Sequence, residues 1–174
     1  MLEANQGQWF DRLYLEHCDR IYRFLRCRMD PTEAEDLTAQ VFLEAWRQRD
    51  RVEVDPDVGW LPWLYRVARN MASKHHRSGG REVRVAEVPE TAHGDHAQDI
   101  VDADQRARHW VAAQSALSRL SQTDRDLIQW AIVEDLSSTQ VAAITGMNPA
   151  TVRSRLMRAR NRLRRMVQEA EDGA

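Results

Sequence analysis

The sequence predicts an all-α protein: two small helical domains joined by a flexible linker, the second carrying a helix-turn-helix. Three observations predict it. Apolar residues recur at three- and four-residue spacing along most of the chain, while the alternation that marks strands is almost absent. Glycine and proline punctuate the chain at few places. The stretch from Ser78 to Asp104 breaks the periodicity, opening on Gly79-Gly80 and carrying Pro89 and many charges. It reads as a linker over 79–104, between domains at 1–78 and 105–174. Each domain is small enough that its core is marginal, so docking on a large partner would steady both.

The elements follow in order. In the first helix Trp9, Phe10, Leu13, Tyr14, Cys18, Ile21, Tyr22 and Leu25 form one apolar stripe. Pro31 interrupts, and Thr32 with Glu35 three residues on has the pattern of a capping box for the second helix. That helix buries Leu37, Val41, Phe42, Ala45 and Trp46. Residues 50–59, DRVEVDPDVG, read as a charged loop. A third helix runs from about Trp60 to His76, with Leu64, Val67, Ala68, Met71 and Ala72 inward. Beyond the linker, Trp110, Val111, Gln114, Leu117 and Leu120 begin the next helix. Ser121 can cap another that carries Leu127, Ile128, Ala131 and Ile132.

Composition narrows the function classes. With 43% hydrophobic and 30% charged residues, the chain reads as soluble and globular. No apolar run approaches the roughly 18 residues that span a membrane. MLEANQGQWFDRLY lacks the basic and apolar regions of a signal peptide, so a cytoplasmic protein without membrane insertion is expected. Cys18 and Cys27 fit neither a redox pair nor a zinc quartet and read as buried thiols. His75 and His76 are adjacent, and helical neighbours point about 100° apart, a poor chelate. Neither a metal nor another cofactor is expected.

The net charge of −2 hides an uneven distribution. From Leu136 to Gln168 there are seven arginines and no acid, while acids gather at Glu33, Glu35, Asp36 and at Asp95, Asp99, Asp102, Asp104. A local positive field on a near-neutral chain suits phosphate contact. Within that segment Ser137 can cap a helix with Gln140 at its third position. Gly146 follows where a sharp turn needs positive φ. Asn148 then caps a longer helix, with Pro149 at its first position. This is the helix-turn-helix pattern. On the longer helix Val152, Leu156, Ala159 and Leu163 share the inward arc. The opposite side, Ala150, Arg153, Ser154, Met157, Arg158, Asn161 and Arg164, suits the major groove.

The first domain has two polar faces. Arg66, Arg69, Asn70, Ser73, Lys74 and Arg77 share one side of the third helix, edged by Trp63. Cations beside an aromatic ring suit unpaired nucleic acid. The second helix turns out Glu35, Asp36, Gln40 and Glu44, too acidic for DNA and better matched to a basic protein surface.

Three blocks carry a family resemblance. EAEDLTAQVFLEAW resembles region 2.2 of the extracytoplasmic-function sigma factors, and WLPWLYRVARNMASKHHR resembles their regions 2.3 to 2.4. The segment from ALSRLSQTDRDL through TVRSRLMRAR to NRLRR resembles region 4. The resemblance implies a factor that catalyses nothing itself and directs core RNA polymerase to promoters. It implies that region 2.2, at Asp36, Leu37, Gln40, Phe42 and Glu44, docks on the β′ coiled coil. It implies that Trp63, Arg66, Arg69, Asn70 and Lys74 hold the minus-ten element as single strand, with the loop from Arg51 to Asp57 capturing a base. Region 4 would touch the β flap and read the minus-thirty-five element through Arg153, Ser154, Met157 and Arg158, with Thr139 and Thr151 at phosphate. An anti-sigma factor is an implied partner. Ala39-Gln40 stands where many members carry Gln-Glu, which removes one polymerase-facing charge, and Leu64 stands at the second position of the melting wedge. Two other readings stay open: a stand-alone helix-turn-helix regulator, which would carry a ligand pocket or receiver in its first domain, and a helical metal-dependent hydrolase, which would need chelating carboxylates and histidines on facing helices.

Overall fold

The computed structural model describes residues 2–56, 58–79 and 111–172. The expected linker at 79–104 lies, from residue 80 on, outside the described residues. Among those described there is helix and turn but no strand. The chain divides into two compact units, the first 1–89 with 143–146 and the second 90–142 with 147–174.

In the first unit α1 (Leu2–Arg26), α2 (Pro31–Gln48) and α3 (Leu61–Gly79) pack mutually. Ile21, Phe24 and Leu25 of α1, Val41, Phe42 and Ala45 of α2, and Leu64, Tyr65 and Ala68 of α3 are buried together. Phe24 and Tyr65 meet edge to face, centroids 5.3 Å apart. The cap of α2 is Asp30, not Thr32: its carboxylate accepts from the Glu33 backbone N–H at 3.0 Å. Pro31 does not break the helix but begins it, because the first helical position needs no N–H. Arg28 closes α1 from below its end. It is buried, lies 3.6 Å over the Phe24 ring and donates to the Phe24 carbonyl. Gly59, at φ +69°, ends the loop before α3, its N–H donating to the Asp55 carbonyl at 2.9 Å.

The second unit holds α4 (described over 111–118), α5 (Gln122–Ile128), the first part of α6 (Ser138–Thr145) and α7 (Pro149–Asp172). Ala116, Leu120, Ile128, Ala159 and Met166 form a core cluster, with Leu117, Leu156, Leu163 and Val167 packed on it. Ser121 caps α5 as expected, accepting from the Asp124 N–H. The inward residues after it differ from expectation. A π-helical turn over Gln129–Val133 follows α5, marked by the Glu134 N–H bonding the Gln129 carbonyl at 3.0 Å. One extra residue per turn advances every later side chain by about 100°. Trp130 is therefore fully buried, and Ile132 and Val133 are exposed. Cys18 and Cys27 form no disulfide and are only partly buried, a correction to the expected core thiols.

Candidate nucleic-acid interface

The helix-turn-helix forms by the expected caps. Ser137 Oγ accepts from the Gln140 N–H at 3.2 Å, and Gln140 Oε1 accepts from the Ser137 N–H at 2.9 Å. Gly146 sits at φ +72°, a backbone that a Cβ would strain. Asn148 Oδ1 then accepts from the Ala150 N–H at 2.8 Å. On α7, Val152 and Ala159 are buried, and Leu156 and Leu163 are half-buried. Arg153, Ser154, Met157 and Arg158 all lie on the exposed side. Thr139 is exposed at the start of α6 and Thr151 in the first turn of α7. The polar groups of this face make long bonds, two within α7 and one from α7 to α6. Arg153 donates to Ser138 Oγ at 3.3 Å, Arg158 to the Ser154 carbonyl at 3.4 Å, and Ser154 to the Thr151 carbonyl at 3.1 Å. Such bonds exchange readily for phosphate or base edges.

Arg155 behaves differently. Its Nε donates to Asp124 Oδ1 at 2.8 Å, tying α7 to α5. Ser121 Oγ donates to the other oxygen of Asp124 at 2.7 Å. Burial by itself would raise the Asp124 pKa, but the hydrogen bonds from Arg155 and Ser121 and the charges of Arg155 and Arg162 outweigh it. The carboxyl is held below its usual range. One of the seven arginines is thus a strut between helices. The sequence signal was its spacing: Arg155 is three residues after Val152 and four before Ala159, at the edge of the inward arc.

In the first unit Arg66, Asn70 and Lys74 are exposed on α3, with Trp63 and Arg69 half-buried. Leu64, one residue on from Trp63 and at the second position of the expected wedge, is sealed in the core. On α2, Asp36 and Gln40 are exposed and Glu44 is half-buried, accepting from Gln48 at 2.9 Å. Leu37 and Phe42 are corrections. They are 6% and 1% exposed, on the arc that faces α1 and α3, and cannot meet a partner directly. They hold α2 in place. Leu43, missed in the sequence, is exposed instead, three residues from Gln40 and seven from Asp36. That spacing puts it on the same side of α2.

His75 meets Glu33 at 3.1 Å and so ties α3 to α2. No group of three metal-binding side chains occurs among the described residues. The loop after α2 exposes Arg51, Glu53, Asp55 and Pro56, while Asp57 lies outside the described residues. Val52 and Val54 of this loop line a cleft of about 720 Å³. Its lining also includes Trp9, Arg12, Glu16 and His17 of α1, and Arg49 and Trp60.

Comparison with known proteins extends this geometry. Residues 13–82 match the family model for sigma-70 region 2, and residues 110–163 match that for sigma-70 region 4. The ECF RNA polymerase sigma factor SigL of Mycobacterium tuberculosis is 33% identical over 158 residues, which cover 90% of this chain and 88% of that protein. The RNA polymerase sigma-H factor of Pseudomonas aeruginosa is 30% identical over 168 residues, covering 91% and 86%. Among solved structures, the sigma factor RpoE of Bartonella quintana, in complex with the anti-sigma factor NepR, aligns with a TM-score of 0.65 at 25% identity. The alignment covers 91% of this chain and 96% of that one. CnrH, solved with the cytosolic domain of CnrY, shares the fold at a TM-score of 0.66 and 21% identity, over 94% of this chain and 90% of that one.

Proposed function

This chain belongs to the sigma-70 family, among its extracytoplasmic-function members, and from that premise we propose how its parts divide the work. As a sigma factor it binds core RNA polymerase and directs promoter-specific initiation. The observation that carries this is the order of two matched regions, region 2 then region 4, along one chain.

In the proposed division, residues 1–78 dock on polymerase and hold the minus-ten element, 79–104 link, and 105–174 read the minus-thirty-five element. The outward face of α2 meets the β′ coiled coil through Asp36, Gln40 and Glu44. Leu37 and Phe42 contribute by fixing that face. Trp63, Arg66, Arg69, Asn70 and Lys74 take the minus-ten strand, a ring and cations suited to an unpaired base and its phosphates. Val52 and Val54, turned into the cleft, support base capture by their loop. Arg153, Ser154, Met157 and Arg158 enter the major groove, Arg to guanine and Ser to either edge, while Thr139 and Thr151 meet phosphate. The second unit also touches the β flap. An anti-sigma factor restrains the chain, as the RpoE–NepR pairing suggests. The role is non-catalytic and cytoplasmic, and among the described residues no helix is long and apolar enough to cross a membrane.

Transcription with purified core polymerase tests the proposal. Adding the chain yields specific transcripts that core lacks. A chain that binds promoter DNA but not core would be a stand-alone regulator instead.

A further inference from the structure

The cleft of the first unit has two walls of different origin. One is the loop after α2 with Trp60, and the other is α1, through Trp9, Arg12, Glu16 and His17. At about 720 Å³ it has the size of a small-ligand site. Trp9 and Trp60 both line it and meet edge to face at 5.2 Å. Trp60 in turn lies 5.4 Å from Trp63, so an aromatic row leads from the cleft to the ring assigned to the minus-ten strand.

His17 stands out on the α1 wall. Only 8% of it is exposed, and its Nδ1 is buried without a hydrogen-bond partner. Nε2 lies 3.7 Å from the Glu16 carboxylate. Native proteins leave few buried polar atoms unsatisfied, and those left usually have a reason. Burial pushes the His17 pKa down, with Glu16 opposing, so at neutral pH the ring offers one donor and one acceptor. An ordinary solvated cleft would account for Arg12 and Glu16, which are exposed. It would not account for a buried ring nitrogen beside them, nor for two tryptophans in one lining. Aromatic faces, a cation for phosphate and hydrogen-bonding edges are together what an unpaired nucleobase requires.

We propose that α1 forms the second wall of the base-capturing site, where Arg12, Glu16 and His17 determine which unpaired nucleobase of the minus-ten strand is accepted. This rests on the reading of the loop after α2 as base-capturing. In that site Arg12 holds the strand's phosphate, Glu16 meets the edge of the base, and His17, buried behind Glu16 with its Nε2 3.7 Å from that carboxylate, is a positioning residue.

The experiment uses holoenzyme assembled from core polymerase and the full chain. Promoters carrying each of the four bases at each minus-ten position compete in transcription. Variants are Arg12→Ala, Glu16→Gln and His17→Gln, with Val54→Ala as the loop comparison. Arg12 and Glu16 have exposed side chains, so their variants keep the fold even where His17→Gln does not. Glu16→Gln and His17→Gln are expected to change base preference by about two- to tenfold, the size of one hydrogen bond. The change falls at the same promoter position that Val54→Ala affects, and Arg12→Ala weakens all bases there alike. If Val54→Ala shifts the preference and Glu16→Gln leaves it unchanged, the α1 wall is overturned and the loop reading stands. If no variant shifts any position, both fall.

Discussion

Two basic helices are assigned to nucleic acid in the proposed division of work, and they are built differently. The exposed side of α7 rises from an apolar spine of Val152, Leu156, Ala159 and Leu163, and Arg155 locks that spine to Asp124. The exposed side of α3 begins at an aromatic row, Trp9–Trp60–Trp63, and only then becomes polar and cationic, at Arg66, Asn70 and Lys74, of which Arg66 and Lys74 carry the charge. The difference fits the proposed targets. Groove readout depends on the pitch of a helix against a duplex, so it needs a strut. A separated strand brings its bases to the protein, so it needs rings to receive them.

The contrast can be broken from either side. The largest effect is expected in the first unit's core. Phe42→Ala should cost that unit about 3–5 kcal/mol in denaturant unfolding, as for other buried aromatics. Polymerase binding should fall with it, while the unfolding of the second unit stays in place. Loss of polymerase binding without loss of stability would return Phe42 to the docking surface.

Next comes the groove face. Arg153→Ala or Arg158→Ala should reduce discrimination of the minus-thirty-five element by about 1–3 kcal/mol in competition binding. Equal weakening on every sequence would mean that these arginines touch phosphate alone.

Arg155→Ala should behave otherwise. It removes a partly buried ion pair, for which about 1 kcal/mol of stability is reasonable. The salt dependence of DNA binding should stay as in the parent, whereas losing a phosphate contact lowers the slope by about one. Asp124→Asn should match it. The pH dependence has a definite sign. Because the Asp124 carboxyl is depressed in the folded chain, its contribution is present at neutral pH and is lost as acid takes the pH down through that depressed value. Asp124→Asn should remove that part of the acid loss.

The smallest effect is expected on α2. Asp36→Asn should weaken core binding by about 0.2–1 kcal/mol, and the difference should fade as salt is raised. A salt-independent loss would point to a buried contact.

What was legible in the sequence was local. Ser121, Ser137 and Asn148 cap their helices because a cap needs only a side-chain oxygen and an N–H two or three residues away. Gly146 takes positive φ for an equally local reason. The all-helical class came from apolar period, and the exposed basic face of α7 from the same period read on its polar side. Where two local signals competed, the reading went astray: Thr32 with Glu35 looked like a capping box, but Asp30 before Pro31 took the role.

The order of the helices, their caps and the charge of their faces were therefore determined by the sequence alone. Only the tertiary structure decided which of those side chains are free. Packing among α1, α2 and α3 buried Leu37, Phe42 and Leu64. Asp124, distant in sequence, turned Arg155 inward. The π turn after α5 exchanged Ile132 for Trp130, because a shift of one residue in phase is decided by what fills the core and not by apolar spacing. The cleft between α1 and the loop after α2 belongs to neither segment, since its walls are far apart in the chain and only the fold brings them together.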